Sequence, residues 1–247
     1  MKLILLGTAG YHPSERRHTS CAIIPEVGVM LDAGTAMFRA PRHIATESLD
    51  VFLSHVHLDH VAGLTYLFST LAQTKLKTVR VHGEAPKLRA LEEHLFSEHL
   101  FPKRPPYETV PLPESGEVAL PGDGRLTSFP LEHPGGAVGF RLDWPGHSMA
   151  YVTDTWGGLD SAYLERIEGV DLLVHECFFG DEQADWARTT GHTHTTPVAE
   201  LARRVRAKRL VLIHINPLAG DDPIGLATAQ AIFPATQVGE DGLEVDF

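Results

Sequence analysis

The hexapeptide HVHLDH at residues 55–60 places four potential metal ligands close together in the chain. It lies where a short apolar run typical of a strand passes into a pattern typical of a helix. In an extended chain, residues two apart project to the same side, so His55 and His57 can bind one ion together. The turn into the helix carries Asp59 and His60 towards a second position. The segment therefore predicts a corner of the fold that serves two metal ions.

The donor types in this hexapeptide indicate which ions fit. Histidine nitrogen and carboxylate oxygen suit zinc, and also iron or manganese. The chain has 15 His among 247 residues, so three of them with an Asp in this spacing are very improbable by chance. Closed structural zinc sites are usually rich in Cys, and this corner has none. The segment therefore favours a functional metal site over a structural one.

The composition bounds the class of protein. The chain carries 21 Lys and Arg against 32 Asp and Glu, a formal charge of −11 that repels polyanions. This charge disfavours a nucleic-acid partner and favours a small-molecule substrate. Two Cys are too few for a disulfide framework, and no apolar stretch is long enough for a signal peptide or a membrane span. We expect a cytoplasmic protein with no membrane partner, and its oligomeric state is open, with a homodimer as one option.

The pattern of apolar residues predicts an α/β fold. A hydrophobic fraction of 43% can form one large core, and no linker divides the chain, so we expect a single domain over residues 1–247. Residues 102–113, which are rich in Pro, are predicted as a surface loop. The predicted helices cover residues 60–71 and 85–95 and a segment that starts at Thr196. Strands are predicted at residues 3–7, 21–25, 29–32, 51–53, 79–82, 126–131, 138–142, 148–152, 171–174 and 210–213. Strands punctuated by helices and hairpins favour mixed sheets covered by helices.

HVHLDH resembles the HxHxDH signature of metallo-β-lactamase-fold hydrolases. LDAGT at residues 31–35 resembles the family's first motif, whose Asp, here Asp32, usually supports a ligand instead of binding metal. His133, Asp154 and His214 follow strands in the order that the family expects. The resemblance covers nearly the whole chain and implies an αββα sandwich of two mixed β-sheets flanked by helices.

The resemblance also implies a division of the ligands between two divalent ions, with zinc as the first expectation and manganese or iron as alternatives. Asp154 would bridge the ions, and Asp59 would also orient the attacking hydroxide. Two cations a few ångströms apart repel strongly, so an anionic bridge and a shared hydroxide make such a pair tolerable. The implied ligands are His55, His57 and His133 for one ion and Asp59, His60 and His214 for the other.

Two further segments resemble motifs of ribonuclease Z, namely HECFF at residues 175–179 and GHTHTTPVAELA at residues 191–202. In that branch a His just before a helix donates a proton to the leaving oxygen, and a Glu holds the His in position. Carried over, these roles fall to His194 and Glu176, with His192 as the alternative acid. The choice of His194 rests on a helix that starts with Thr196 as N-cap and Pro197 at the first helical position.

The chain departs from ribonuclease Z in one segment. Only 154 − 133 = 21 residues separate His133 from Asp154, which leaves no room for the long arm that grips tRNA in that enzyme. With the charge of −11, this makes tRNA processing unfavourable. The chain is more similar to armless phosphodiesterases such as the cyclic phosphodiesterase of phosphonate breakdown, although it lacks the extra Cys-rich zinc site of that enzyme.

The resulting expectation is a metal-dependent phosphodiesterase for small or cyclic phosphodiesters, in which a metal-bridging hydroxide attacks and His194 is the general acid. A ribonuclease Z-like RNA endonuclease is one alternative. A hydrolase of carboxylic esters, thioesters or lactones is another, because the same hydroxide attacks carbonyl groups. A non-catalytic metal-binding module is disfavoured by the complete set of ligands.

The ligand pattern makes a prediction about metal content. Protein reconstituted with zinc or manganese should contain about two ions per chain. Asp154→Ala should lower this occupancy, because two cations would lose their anionic bridge. Elemental analysis of the purified protein measures both quantities. A stoichiometry near zero after reconstitution would contradict the prediction.

Overall fold

The protein combines short strands and short helices, in a computed structural model that describes residues 1–114, 116–220 and 224–247. In chain order the strands are β1 Lys2–Gly7, β2 Cys21–Ile24, β3 Val29–Leu31, β4 Ser48–Phe52, β5 Thr78–Gly83, β6 Glu108–Pro111, β7 Glu117–Leu120, β8 Gly124–Leu131, β9 Ala137–Trp144, β10 His147–Val152, β11 Leu172–Glu176, β12 Arg209–Ile213, β13 Thr236–Val238 and β14 Glu244–Asp246. The helices are α1 Leu58–Val61, α2 Leu67–Gln73, α3 Ala85–Ala90, α4 Ala184–Thr190, α5 Thr195–Arg204 and α6 Leu226–Ile232.

The strands form two sheets of mixed direction. The first has the order β14-β1-β2-β3-β4-β5-β6, and the second has the order β13-β12-β11-β10-β9-β8-β7. Antiparallel hairpins such as β1-β2 and β9-β10 lie beside parallel pairs such as β3-β4 and β10-β11. The mixed sheets expected from the sequence are confirmed.

Three clusters of buried apolar residues hold the layers together. One lies between the inner faces of the two sheets and includes Leu5, Phe52, Phe140 and Val211. The second packs residues of the first sheet against Leu64 and Leu67 and their neighbours, and the third packs the second sheet against α5 and α6. Burial of a large aliphatic or aromatic side chain contributes about 1.5–3 kcal/mol, so these clusters supply the main stabilisation of an αββα sandwich. The predicted fold class is confirmed.

The topology brings chemically active residues to one end of the sandwich. Parallel strands β3 and β4 of the first sheet end next to each other, as do β10, β11 and β12 of the second sheet. Open α/β sheets place their sites outside the carboxyl ends of such strands. Polar residues stand at or just after these ends: Asp32, His55, Asp154, Glu176 and His214.

Two predicted elements are corrected. The predicted helix at residues 60–71 is interrupted, because α1 and α2 are separated by the 3₁₀ helix Ala62–Tyr66. A Cβ at Gly63 would come within 2.3 Å of the Gly34 carbonyl oxygen, so this close approach leaves no space for a side chain. The predicted loop at residues 102–113 contains β6, which pairs with β5 at the sheet edge, where Pro is tolerated in a strand.

Among the described residues, no helix has the length and apolar character needed to span a membrane.

Candidate metal centre

The first group of candidate ligands joins the start of the hexapeptide to the loop after β8. His55, His57 and His133 each offer one ligand atom, and these atoms lie within 4.8 Å of one another. His133 Nε2 is 3.3 Å from His57 Nδ1. His55 is buried, whereas His57 is exposed, so the group opens towards solvent at His57.

The second group lies deeper and adds two carboxylates. Asp59, His60, Asp154 and His214 offer ligand atoms within 4.8 Å of one another. Asp59 Oδ2 is 3.4 Å from the Nε2 atoms of both His60 and His214. Asp154 Oδ2 is 3.1 Å from His60 Nε2, and Asp154 Oδ1 is 3.3 Å from His214 Nε2.

The Asp154 carboxylate faces both groups. Its Oδ1 atom is also 3.8 Å from His55 Nε2 and 3.7 Å from His133 Nε2. Burial alone would raise the pKa of Asp154, but His214, His60 and His55 hold that pKa well below its usual range. The carboxylate is therefore ionised at neutral pH and is placed where two cations could share it.

The donor set fits divalent cations. The Nε2 atoms of His55 and His60 are buried and have no hydrogen-bond partner within the described part of the chain. Buried polar atoms without partners are costly, and a bound cation would satisfy these two. The fold family implies divalent metals, and imidazole nitrogen with carboxylate oxygen is a set that zinc accepts.

Asp32 orients one of the candidate ligands from behind. Its Oδ2 atom is 2.8 Å from His60 Nδ1 and accepts a hydrogen bond from the Tyr151 hydroxyl at 3.0 Å. Its Oδ1 atom accepts hydrogen bonds from the main-chain N–H and the hydroxyl of Ser54. This arrangement turns His60 Nε2 towards Asp59 and Asp154. Asp32 itself belongs to neither group of ligand atoms, in line with the supporting role expected for it.

His192 contacts both Glu176 and the metal centre. Its Nδ1 atom is 3.1 Å from Glu176 Oε1, and its ring stacks on that of His214 at 5.2 Å. His192 also forms a group of possible ligand atoms with His133 and Asp154. Burial lowers the pKa of His192, but the carboxylates of Glu176, Asp154 and Asp59 together outweigh burial and raise this pKa to about 9, with Glu176 contributing most.

Glu176 is fixed by the main chain. It is fully buried, and its two carboxylate oxygens accept hydrogen bonds from the N–H groups of Thr155 and Thr193 at 2.6 and 3.2 Å. A carboxylate held in this way cannot rotate freely. It therefore determines the orientation of the His192 ring.

His194 occupies a different environment, which corrects two expectations. Its Nδ1 atom is 2.6 Å from Asp181 Oδ1, so the expected pairing with Glu176 is not made. The expected helix start at Thr196 was also wrong, because α5 begins at Thr195 with His194 as N-cap. Asp181 accounts for the partner of His194 and for the start of α5. Its carboxylate contacts His194 and also accepts hydrogen bonds from the Thr196 N–H and hydroxyl. It thus satisfies an N–H group of the first helical turn, as an N-cap side chain would.

In the sequence, the glycine that precedes His192 marks the end of a helix. Gly191 ends α4 with a φ of 75°, a conformation that favours glycine at a helix C-terminus. The chain then runs beside the segment that follows β11, where the Phe178 N–H donates to the Thr193 carbonyl. This non-local pairing places His192, and not His194, beside Glu176, and local sequence patterns do not predict the pairing.

Comparisons with known proteins place the chain in a family. The family model described as beta-lactamase superfamily domain matches residues 28–215. The chain belongs to this superfamily. It is therefore a hydrolase of the metallo-β-lactamase fold.

Individual members of the superfamily resemble the chain over its whole length. Ribonuclease Z of Methanosarcina acetivorans is 29% identical, and the match covers 100% of this chain and 98% of that protein. The metallo-β-lactamase-fold protein YhfI of Bacillus subtilis has a TM-score of 0.82 at 18% identity, with 99% of each chain covered. A diphosphatase of the PhnP family has a TM-score of 0.75 at 20% identity, with 100% of this chain and 96% of that chain covered.

Strained backbone conformations are concentrated at the candidate metal centre. Asp32, Asp154 and His214 have φ values of 56°, 51° and 56°, and Tyr11, whose N–H binds Asp59, has a φ of 64°. Left-handed backbone is uncommon outside glycine, although Asp and His adopt it more readily than most residues. Such strain persists where surrounding contacts determine the conformation, and it clusters at functional sites.

Removal of the Asp32 carboxylate tests the support of His60. Asp32→Ala should weaken metal affinity by about 10- to 100-fold, because His60 would lose the hydrogen bond that fixes its ring. Tyr151→Phe, which removes one donor to Asp32 and leaves the carboxylate, should have a smaller effect. Competition titrations with a chromogenic chelator measure both affinities. Equal effects of the two variants, or unchanged affinity in Asp32→Ala, would contradict this role.

Proposed function

We propose that the chain is a metal-dependent phosphodiesterase that acts on small or cyclic phosphodiesters, with His192 as the general acid. The observation that carries this proposal is the His192–Glu176 pair, which borders the candidate metal centre. An alkoxide leaving phosphorus needs a proton in the transition state, and a dedicated acid supplies it. A thiolate leaves without such help, so the pair favours phosphodiesters over thioesters.

The candidate ligands have a defined task in this proposal. The seven residues His55, His57, Asp59, His60, His133, Asp154 and His214 would hold two divalent ions. When bound, such ions polarise phosphoryl oxygens and lower the pKa of water. Asp59 is assigned a second role, orientation of the attacking water, because its carboxylate lies at the edge of the centre.

His192 is preferred to His194 as the acid. Its ring stacks on that of His214, one of the candidate ligands, whereas the Nδ1 atom of His194 is engaged by Asp181. Glu176 favours the protonated imidazole of His192, which is the form that can donate. The His192 Nδ1 atom is engaged by Glu176, so Nε2 is left for the leaving oxygen.

Comparison of lengths supports a small substrate. The match to the archaeal ribonuclease Z runs over 308 positions although this chain has 247 residues. At least 308 − 247 = 61 positions of that relative therefore have no counterpart here. A chain without these additional residues, and with a formal charge of −11, has less means to bind a polyanionic RNA.

An RNA endonuclease is the second candidate function. It is favoured by the names of the relatives, since ribonuclease Z of Methanosarcina acetivorans matches the chain from end to end. A polyanion would have to be bound through contacts that fall steeply with salt. The two candidates therefore differ in substrate size and in salt dependence.

A substrate comparison tests the proposed function. Metal-reconstituted protein should cleave bis(p-nitrophenyl) phosphate or a 2′,3′-cyclic nucleotide and should process precursor tRNA poorly, because it lacks surface for the tRNA. Rates on the two classes are measured side by side at low and moderate salt. Efficient removal of a tRNA 3′ trailer would reverse the ranking, and chelator-treated protein is the control for metal dependence.

Replacement of the proposed acid should have an effect that depends on the leaving group. His192→Ala should lower the rate by about 10²- to 10⁴-fold on an alkyl phosphodiester, because the alkoxide leaves without a proton. On a p-nitrophenyl ester the loss should be far smaller, since p-nitrophenolate leaves unaided. Glu176→Gln should show a weaker form of the same contrast. Steady-state kinetics on the paired substrates measure these effects.

His194→Ala is the matched control for this experiment. It removes an imidazole two residues away that pairs with Asp181, so it should show no contrast between leaving groups. Metal content must be unchanged in each variant. A contrast in His194→Ala and none in His192→Ala would return the acid role to His194.

A further inference from the structure

Tyr11 carries an exposed aromatic ring beside the candidate metal centre. Tyr11 is 74% exposed, and its main-chain N–H donates a 2.8 Å hydrogen bond to Asp59 Oδ2. The preceding Gly10 lies against His214, because a Cβ there would come within 2.3 Å of the imidazole. The backbone of Tyr11 therefore lies at the rim of the centre, on the side of Asp59 and His214, and it carries an exposed ring.

The backbone of Tyr11 is strained. Its φ of 64° lies in the left-handed region, which is unfavourable for a residue with a Cβ and neutral for glycine. Asp and His visit this region more readily than most residues, whereas Tyr has no local hydrogen bond that compensates. A strained aromatic residue at a candidate site is therefore a reason to assign a role to its side chain.

Hydrogen bonds on both sides of Tyr11 hold its backbone in place. The Gly10 N–H donates to the Ile215 carbonyl at 3.1 Å, and the His12 N–H donates to the Gly10 carbonyl at 2.8 Å. The Tyr11 ring makes a T-shaped contact with the His12 ring, with centroids 5.2 Å apart. A single contact of this kind leaves at least one face of the phenol ring open. The backbone is thus fixed, and the exposed ring is available to a ligand.

We propose that Tyr11 is a specificity-determining residue that stacks on a planar aryl or heterocyclic group of the substrate. The part of this inference that concerns the reaction rests on the proposed phosphodiesterase function. Offset stacking between aromatic rings and between a nucleobase and an aromatic side chain contributes about tenfold in affinity. The ring would bind the organic substituent of a phosphoryl group held at the centre, while the Tyr11 N–H fixes Asp59.

A binding experiment tests this inference without relying on turnover. Affinities of zinc-reconstituted protein for phenylphosphonate and methylphosphonate are measured by calorimetry. Wild-type protein should prefer phenylphosphonate. Tyr11→Gly keeps the main-chain N–H and suits the positive φ. It should therefore lower the affinity for phenylphosphonate by about tenfold and leave the affinity for methylphosphonate unchanged. Tyr11→Phe should retain the preference, and so should Phe68→Ala, which removes another partly exposed aromatic ring.

The possible outcomes separate the two proposals. Absence of a phenyl preference in wild-type protein, or its persistence in Tyr11→Gly, would overturn the stacking role. An equal loss for both phosphonates in Tyr11→Gly would also overturn it, because the loop would then support the centre and not the aryl group. The protein could show a phenyl preference that depends on Tyr11 and yet hydrolyse no phosphodiester. This result would contradict the proposed function and would still support the aryl site.

Discussion

Asp154 places a carboxylate that is 2% exposed between two groups of histidines, and a buried carboxylate is stable only beside compensating positive charge. Its two oxygens lie 3.1 to 3.8 Å from ring nitrogens of His60, His214, His133 and His55. These histidine nitrogens and the carboxylate form a donor set in which divalent cations could supply the compensating charge. The geometry of the centre follows from the need to compensate this one group.

The sheets meet this constraint through the ends of their strands. Asp32 follows β3, Asp154 follows β10, and Glu176 ends β11, so each carboxylate is carried by the rigid framework and not by a long loop. The carboxylates of Asp32 and Glu176 then fix His60 and His192 through their Nδ1 atoms. A hydrogen bond at Nδ1 leaves Nε2 free to act at the centre, as ligand or as acid.

Two histidines that are two residues apart have different surroundings. His192 follows the left-handed Gly191 and contacts Glu176, while His194 occupies the N-cap position of α5 and contacts Asp181. The same short segment thus places one imidazole beside a buried carboxylate at the candidate metal centre and the other at the start of a helix. Similarity to ribonuclease Z, YhfI and the PhnP-family diphosphatase establishes the fold without distinguishing between these two residues.

The sequence alone determined the hexapeptide at residues 55–60 and the mixed sheets, because these depend on local spacing and strand periodicity. The later positions His133, Asp154 and His214 could be named from the sequence only through its resemblance to metallo-β-lactamase-fold hydrolases. Local patterns could not predict the 3₁₀ segment around Gly63, where the backbone packs closely against Gly34. Nor could they decide between His192 and His194, since Asp181 and Glu176 reach them only when the chain folds back beside β11. Side-chain partners set by non-local packing belong to the tertiary structure, because sequence spacing encodes direction along an element and not proximity between elements.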